Sequence, residues 1–443
     1  MSSAIRVAHF GVLTLVFGSA STARPLGGQQ PASPNRAMVG ADTLLVHARA
    51  ADAADTLPPR RDSASSAQQK PAASVPPKAW YERLSLRGYA QFRYNRLLET
   101  NPNLVCAQCD RSIGNNGGIF LRRARLILSG EVHPRLAVYI QPDYATDAAG
   151  QLHYLQIRDA YFDLSLDSAK QHRLRIGQSK VPFGFENLQS SSNRLPLDRA
   201  DALNSAVPNE RDMGVFYYFT THEARRRFRI LTDSGLKGTG DYGVLGFGVM
   251  NGQTANRSES NNSMHAAVRL SYPWRLPNGQ FVEAGVQAYN GRFVVPAKSA
   301  GVAARPEYQD DRVAVSFTWY AQPFGLVGEY NWGKGPDFVA GTRSIDDRTL
   351  QGGYVQSMYR WRTHGQVVQP FARLQSYHGG KKVEQDARHY EVHELEAGVE
   401  WLPFSNFELT AAYTSADRLF EDAATIGNHQ KGRFLRLQAQ FNY

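Results

Sequence analysis

The chain holds two cysteines in 443 residues, too few for a disulfide framework to organise it. Long apolar runs are almost missing as well. Apart from Val7 to Gly18, no window is long and apolar enough for a spanning helix of about 20 residues, and mean hydropathy is negative at −0.44. A bundle of membrane helices is therefore excluded. No serine, histidine and acid stand out as a nucleophile with its base, so the chain is not expected to be an enzyme. No cofactor or metal is expected, and nucleic acid is not an expected partner. What the chain does contain is 21 Tyr, 22 Phe and 38 Gly, residues suited to interfacial girdles and tight turns.

The last nine residues show how such residues are used. Leu435, Leu437, Ala439, Phe441 and Tyr443 alternate with Arg436, Gln438, Gln440 and Asn442. Period two gives one apolar and one wet face over roughly the 9–11 residues a tilted strand needs to cross a bilayer. Arg433 and Phe434 break the pattern just upstream. Strands of this kind build outer-membrane barrels, apolar outside and polar within, whose backbone groups all pair around a closed ring. A barrel thus reconciles negative hydropathy with a membrane. A soluble sandwich would also alternate, but would seldom carry Trp and Tyr at its strand ends.

The other end of the chain agrees. Arg6 precedes the apolar run, and Ser19, Ala20, Ser21, Thr22 and Ala23 follow it. Residues 1–23 read as a secretory signal peptide, cleaved after Ala23 or Ala20, because the run is too short for an anchor helix. Residues 24–79 are rich in Ala, Pro and Ser without periodicity and read as a disordered periplasmic leader. Residues 80–443 remain for the barrel, expected in the bacterial outer membrane among lipid and lipopolysaccharide.

Alternation returns from Leu84 onward in about sixteen segments, an even number with both ends on the periplasmic side. The fold class is all-β, a transmembrane antiparallel barrel. Residues 222–241, with Arg225, Arg226 and Arg227, fit either a long turn or an extra hairpin. Short turns at His133-Pro134, Pro323-Phe324 and Phe404-Ser405-Asn406 mark the periplasmic end. Long external connectors are expected at 95–119, 144–156, 181–212, 252–264, 291–311, 334–349, 378–388 and 415–432. The connector 181–212, after the fifth strand, carries Arg194, Arg199 and Arg211 with Glu186, Asp198 and Glu210, just after Lys180. Mixed charge with Pro182, Pro196 and Pro208 suits an ordered loop more than a floppy one.

Several tracts resemble a known family. These are Ile176 to Asn187, Ser190-Ser191-Ser192, Pro208 to Val215, Phe120-Leu121-Arg122-Arg123-Ala124-Arg125 and Arg158-Asp159-Ala160-Tyr161-Phe162. Together they look like the signature of the phosphate-selective porin O and P family, over residues from about 84 to 443. The resemblance implies a sixteen-stranded barrel, trimeric, whose loop after strand five narrows the pore. It also implies binding of phosphate or polyphosphate through lumenal Arg and Lys.

The polar faces allow an independent reading. Turned inward, they place Arg87, Arg93, Arg123, Arg125, Arg173 and Arg175 in the pore, all from the first five strands. Guanidinium is always charged and matches oxyanions in a bidentate fork. With Lys180, Arg194, Arg199 and Arg211 these arginines form an expected track for inorganic anions. Later strands carry Glu283, Glu329, Glu394, Glu396, Glu400 and Glu408, and Glu131, Asp143, Asp159 and Asp163 lie among the arginines. The alternative is therefore a general porin for small polar solutes, with a basic wall facing an acidic one. The small residues Gly88, Ala90, Ala124 and Ala160 on the lipid face allow the close packing a homotrimer needs.

Cys106 and Cys109 have the spacing of a redox or metal pair. In an external loop, with no second pair to complete a zinc site, a local disulfide is favoured. The histidines, among them His389 and His393, sit singly and on the lipid-facing or rim side.

Overall fold

In the computed structural model, residues 79–98, 118–145 and 154–443 are described. The expected signal peptide and leader, up to residue 78, and Cys106 with Cys109 lie outside the described residues.

Sixteen strands form the wall. They are β1 (Leu84–Leu97), β2 (Gly118–His133), β3 (Leu136–Ala145), β4 (Tyr154–Ser165), β5 (His172–Lys180), β6 (Arg211–Phe219), β7 (Leu245–Met250) and β8 (His265–Arg275). They continue as β9 (Phe281–Asn290), β10 (Asp311–Trp319), β11 (Phe324–Val339), β12 (Ser344–Tyr359), β13 (Gln366–Gly380), β14 (His389–Phe404), β15 (Phe407–Glu421) and β16 (Asn428–Asn442). Each pairs antiparallel with the next, and β1 pairs with both β2 and β16, so the sheet closes without an edge. A three-residue stretch, Trp361–Thr363, extends the β12–β13 turn.

Burial follows the alternation. In β14, Glu394, Glu396 and Glu400 are buried while Leu395, Val399 and Trp401 are exposed. In a closed ring the exposed apolar side meets lipid and the buried polar side meets the lumen. Closure depends on a glycine. The Tyr443 hydroxyl donates to the Arg125 carbonyl at 3.0 Å, and its ring lies where a Cβ on Gly88 would stand 2.6 Å away.

Three expectations need correction. First, β11 and β12 run further out than the sequence suggests, leaving only 340–343 as the connector where 334–349 was expected; β15 and β16 likewise shorten 415–432 to 422–427. Beyond the bilayer a hairpin keeps its backbone pairing, but nothing there demands an apolar face, so alternation stops reporting it. Second, Phe434 does not interrupt β16; it continues the inward face, buried beneath the Arg436 guanidinium 5.1 Å from its ring. Third, 222–241 is neither a plain turn nor a hairpin, because it contains a helix, α3 (His222–Asp233). Thr221 caps it by accepting from the Ala224 N–H at 3.3 Å, and Ala224, Phe228 and Leu231 are its buried side. That spacing is helical, and a search for period two passes over it.

Candidate functional site

The connector from β5 to β6, residues 181–210, turns into the barrel and holds two short helices, α1 (Phe185–Leu188) and α2 (Asp201–Ala206). One side of it is apolar. Phe185, Leu195, Leu197, Ala202 and Leu203 pack with Val327, Tyr354, Phe371, Tyr377, Tyr390 and Val392 of β11–β14. Each fully buried Leu or Phe contributes about 1.5–3 kcal/mol relative to exposure, so the loop is fastened to this wall by burial. Small cavities of about 10 and 20 Å³ lie where loop and wall meet near Tyr354 and near His265.

Directional bonds then fix its register. Gly184 has φ 85°, which frees the N–H groups of Phe185 and Glu186 to donate to the Glu329 carboxylate at 2.6 and 3.0 Å. Asn187 donates to the carbonyls of Phe183 and Leu203, both at 3.2 Å, and accepts from Arg199 at 2.6 Å. At the far end Asn209 and Glu210 both adopt positive φ, 62° and 68°, turning the chain into Arg211. These bonds account for the tracts 176–187 and 208–215 in physical terms.

The other side of the loop is charged. Asp198 receives Arg93 of β1 at 2.9 Å, Arg436 of β16 at 2.8 Å and Arg122 of β2 at 3.4 Å. Glu210 receives Arg199 at 3.1 Å, Arg194 at 3.4 Å and Lys180 at 3.7 Å, and also bonds Arg211. Three cations share one carboxylate and four share the other. Burial alone would raise the Asp198 pKa, but Arg93, Arg122 and Arg436 hold it well below the usual carboxylate range. Glu210 is lowered in the same way, burial being outweighed by Lys180, Arg199 and Arg211. Arg199 itself is lowered to about 10 by burial, against the attraction of Glu210.

The sequence-derived residues divide into several groups. Arg93, Arg123, Arg125, Arg175, Lys180 and Arg211 are buried on the inner face, whereas Arg87 is exposed at the short-turn end. Arg125 pairs with Asp143 at 3.1 Å and donates to Ser191 of the loop at 3.0 Å. Arg175 is bidentate to Asp163 at 2.8 and 2.9 Å, and Arg173 donates to the Asp241 carbonyl at 2.8 Å near α3. Arg211 reaches Asp159 at 2.9 Å. Lys180 donates to the carbonyls of Asn187 and Gln189 at 2.8 and 2.5 Å. Most of these cations therefore hold the loop as well as lining the wall. Arg123 has no ion-pair partner among the described residues.

Inward arginines are not confined to the first five strands. Arg269, Arg312, Arg373, Arg418 and Arg436 are equally buried on later strands. The acids there are partnered locally: Glu283 with Arg269 at 3.2 Å, Glu396 with Arg373 at 2.8 Å and Glu400 with Lys237 at 2.7 Å. A basic wall facing an acidic one does not describe this arrangement.

Within the first five strands two lumenal arginines escape the sequence reading, and for one reason. Between β1 and β2 the register shifts so that Arg122 is an extra residue, and between β3 and β4 Arg158 is the extra one. A bulge turns two consecutive side chains to the same face. Arg122 joins Arg123 inward, and Arg158 joins Asp159, donating to the Asn209 carbonyl at 2.7 Å. The doublets Arg122-Arg123 and Arg158-Asp159 were the available signal.

A closed antiparallel barrel with a charged interior and a loop folded into it defines an outer-membrane porin. The family model for phosphate-selective porin O and P matches residues 106–443, and the chain belongs to that family. No curated protein matches it. Among solved structures it is similar to OmpF of Salmonella typhi in complex with daunomycin, at 14% identity and TM-score 0.50, covering 81% of this chain and 97% of that one. The outer membrane channel DcaP of Acinetobacter baumannii gives 13% identity, TM-score 0.49 and coverage of 81% and 97%. The anion-selective porin from Comamonas acidovorans gives 11%, 0.49, and coverage of 81% and 99%. The family and the fold together imply a channel in the bacterial outer membrane rather than an enzyme.

Proposed function

We propose that this porin favours anions, and that phosphate-like oxyanions pass along Arg122, Arg123, Arg125 and Arg158 beside the loop. The observation that carries this reading is the overdrawn pair of loop carboxylates, Asp198 and Glu210, each shared by several cations. Positive charge is left over where the loop meets β2–β5. A passing anion is the complement of that surplus. In a wet pore each unit contact is worth only about 1 kcal/mol at 4 Å. Several weak sites suit conduction, because an ion must leave as easily as it arrives.

The short-turn end supports the same reading. A groove of about 490 Å³ is lined there by Arg135, Lys170, Arg173, Arg225 and Arg229 together with Glu131, Asp163 and Asp241. Reversal potentials of the purified porin in a salt gradient, with phosphate then added to block chloride current, test the proposal. Anion preference and block are expected; a cation preference contradicts it. The chain is further taken to act as a homotrimer packed through the small residues Ala124 and Ala160, Gly88 being covered by the Tyr443 ring and Ala90 buried within the chain, after export directed by residues 1–23, with 24–79 as a periplasmic leader. Crosslinking in native membranes that yields only monomer counts against the trimer.

A further inference from the structure

We propose that His378, His389 and Glu391 form a binding site for a transition-metal divalent cation, with zinc as its probe, on the outer wall of the barrel near the external end. The site is made by strand register. His378 of β13 stands opposite Glu391 of β14, and His389 precedes Glu391 by one step on the same face. His378 Nδ1 lies 3.6 Å from Glu391 Oε1, and His389 Nε2 lies 3.9 Å from that same oxygen. The two imidazoles meet edge to face at 5.1 Å. Ligands bound at about 2.0–2.1 Å to a tetrahedral zinc stand roughly 3.4 Å apart, so small side-chain rotations complete the set.

A second, independent feature is the support behind His389. Its Nδ1 lies 2.8 and 3.0 Å from the two oxygens of Asp337, a residue with no exposed surface. A carboxylate oxygen accepts, so Nδ1 is the donor in this pair, which leaves Nε2 on the Glu391 side of the ring. This carboxylate–histidine pairing is the support that metal-bound imidazoles require, because it fixes both tautomer and ring orientation. Glu421, paired in register with His389, adds further negative charge behind the site.

The donor set selects the cation. Two imidazoles and one carboxylate suit zinc, copper or nickel, whereas calcium and magnesium take oxygen ligands. The remaining position opens on a groove of about 390 Å³ lined by Tyr330, Gln351, Ser376 and His393, which leaves room for water as a fourth ligand. On the sequence the histidines looked solitary and no metal was expected. Only the β13–β14 register brings His378 to His389.

The test is zinc titration of the full chain in detergent after chelator stripping. One zinc per chain is expected. His378→Ala and His389→Ala should each weaken binding at least tenfold, and Asp337→Asn by about 10–100-fold. His364→Ala, in the short turn between β12 and β13 at the other end of the barrel, should bind as the parent does. His378 is about half exposed, with 46% of its side chain accessible, so its loss leaves the fold intact and a lost zinc there is not a folding defect. Gel mobility of the unheated barrel checks this for every variant. A parent chain that takes up no zinc in the micromolar range, a His378→Ala/His389→Ala double variant that binds undiminished, or an equal loss in His364→Ala overturns the assignment.

Discussion

The two sides of the lumen are built differently. On β11–β14 the strands pair without a bulge through the region that meets the loop, and the loop rests there on Leu203, Phe185 and their apolar neighbours. Charges on this side are matched nearby, as in Arg373 with both Glu186 at 3.0 Å and Glu396 at 2.8 Å. On β1–β5 the ladder is interrupted at Arg122 and Arg158, and cations outnumber the carboxylates within reach. One side holds the loop by apolar burial; the other holds it through charge and has cations to spare. Irregular strands and a surplus of cations occur together, and the proposed selectivity is assigned to that surface.

The largest effect should come from the element shared by both sides. Deleting residues 189–199 removes Asp198, Arg194 and Arg199 with part of the apolar contact, and single-channel conductance should rise several-fold; an unchanged conductance contradicts a constriction. Glu210→Gln leaves its four cations without their common partner. Breaking a buried ion pair typically costs about 3–5 kcal/mol, so loop order should fall and current noise should grow. Quiet, parent-like traces would mean that burial against β11–β14 suffices.

A smaller effect concerns pH. Asp198 and Glu210 are held below their ordinary values by the cations around them. A depressed carboxylate stabilises fully above the unfolded-state value, about 4 for these groups, and loses that stability only as pH falls through its lower folded value. Loop noise should therefore stay constant from pH 7 to about 5 and grow only in stronger acid. Growth above pH 5 would point to other groups. The smallest effect belongs to a locally matched pair outside both of these surfaces, Arg269 of β8 with Glu283 of β9. Replacing Arg269 and Glu283 together with Gln removes a balanced pair and should leave ion selectivity where it was.

What could be read beforehand follows the same division. Sixteen strands, the short-turn end and the inward loop were visible because period two persists wherever one face meets lipid, as at Leu395, Val399 and Trp401. Arg122 and Arg158 were hidden because a bulge inverts the parity on which inward assignment rests. The helix α3 was hidden because Ala224, Phe228 and Leu231 follow a different period. Lumenal arginines were correctly suspected of charge but not of structure, since the pairing of Arg93 and Arg436 through Asp198 joins residues far apart in the chain.

The measurement that tests the central claim most directly compares the bulged side with a matched pair elsewhere in the ring, in one assay. Reversal potentials in a salt gradient should be recorded for the parent, for Arg122→Gln/Arg123→Gln/Arg158→Gln, and for the Arg269→Gln/Glu283→Gln pair. The triple variant should move toward cations, with a shift that shrinks as salt rises and the Debye length falls from about 10 Å at 0.1 M to about 3 Å at 1 M. The paired variant should match the parent. Equal shifts in both, or none in the triple variant, would contradict the assignment of selectivity to the bulged side.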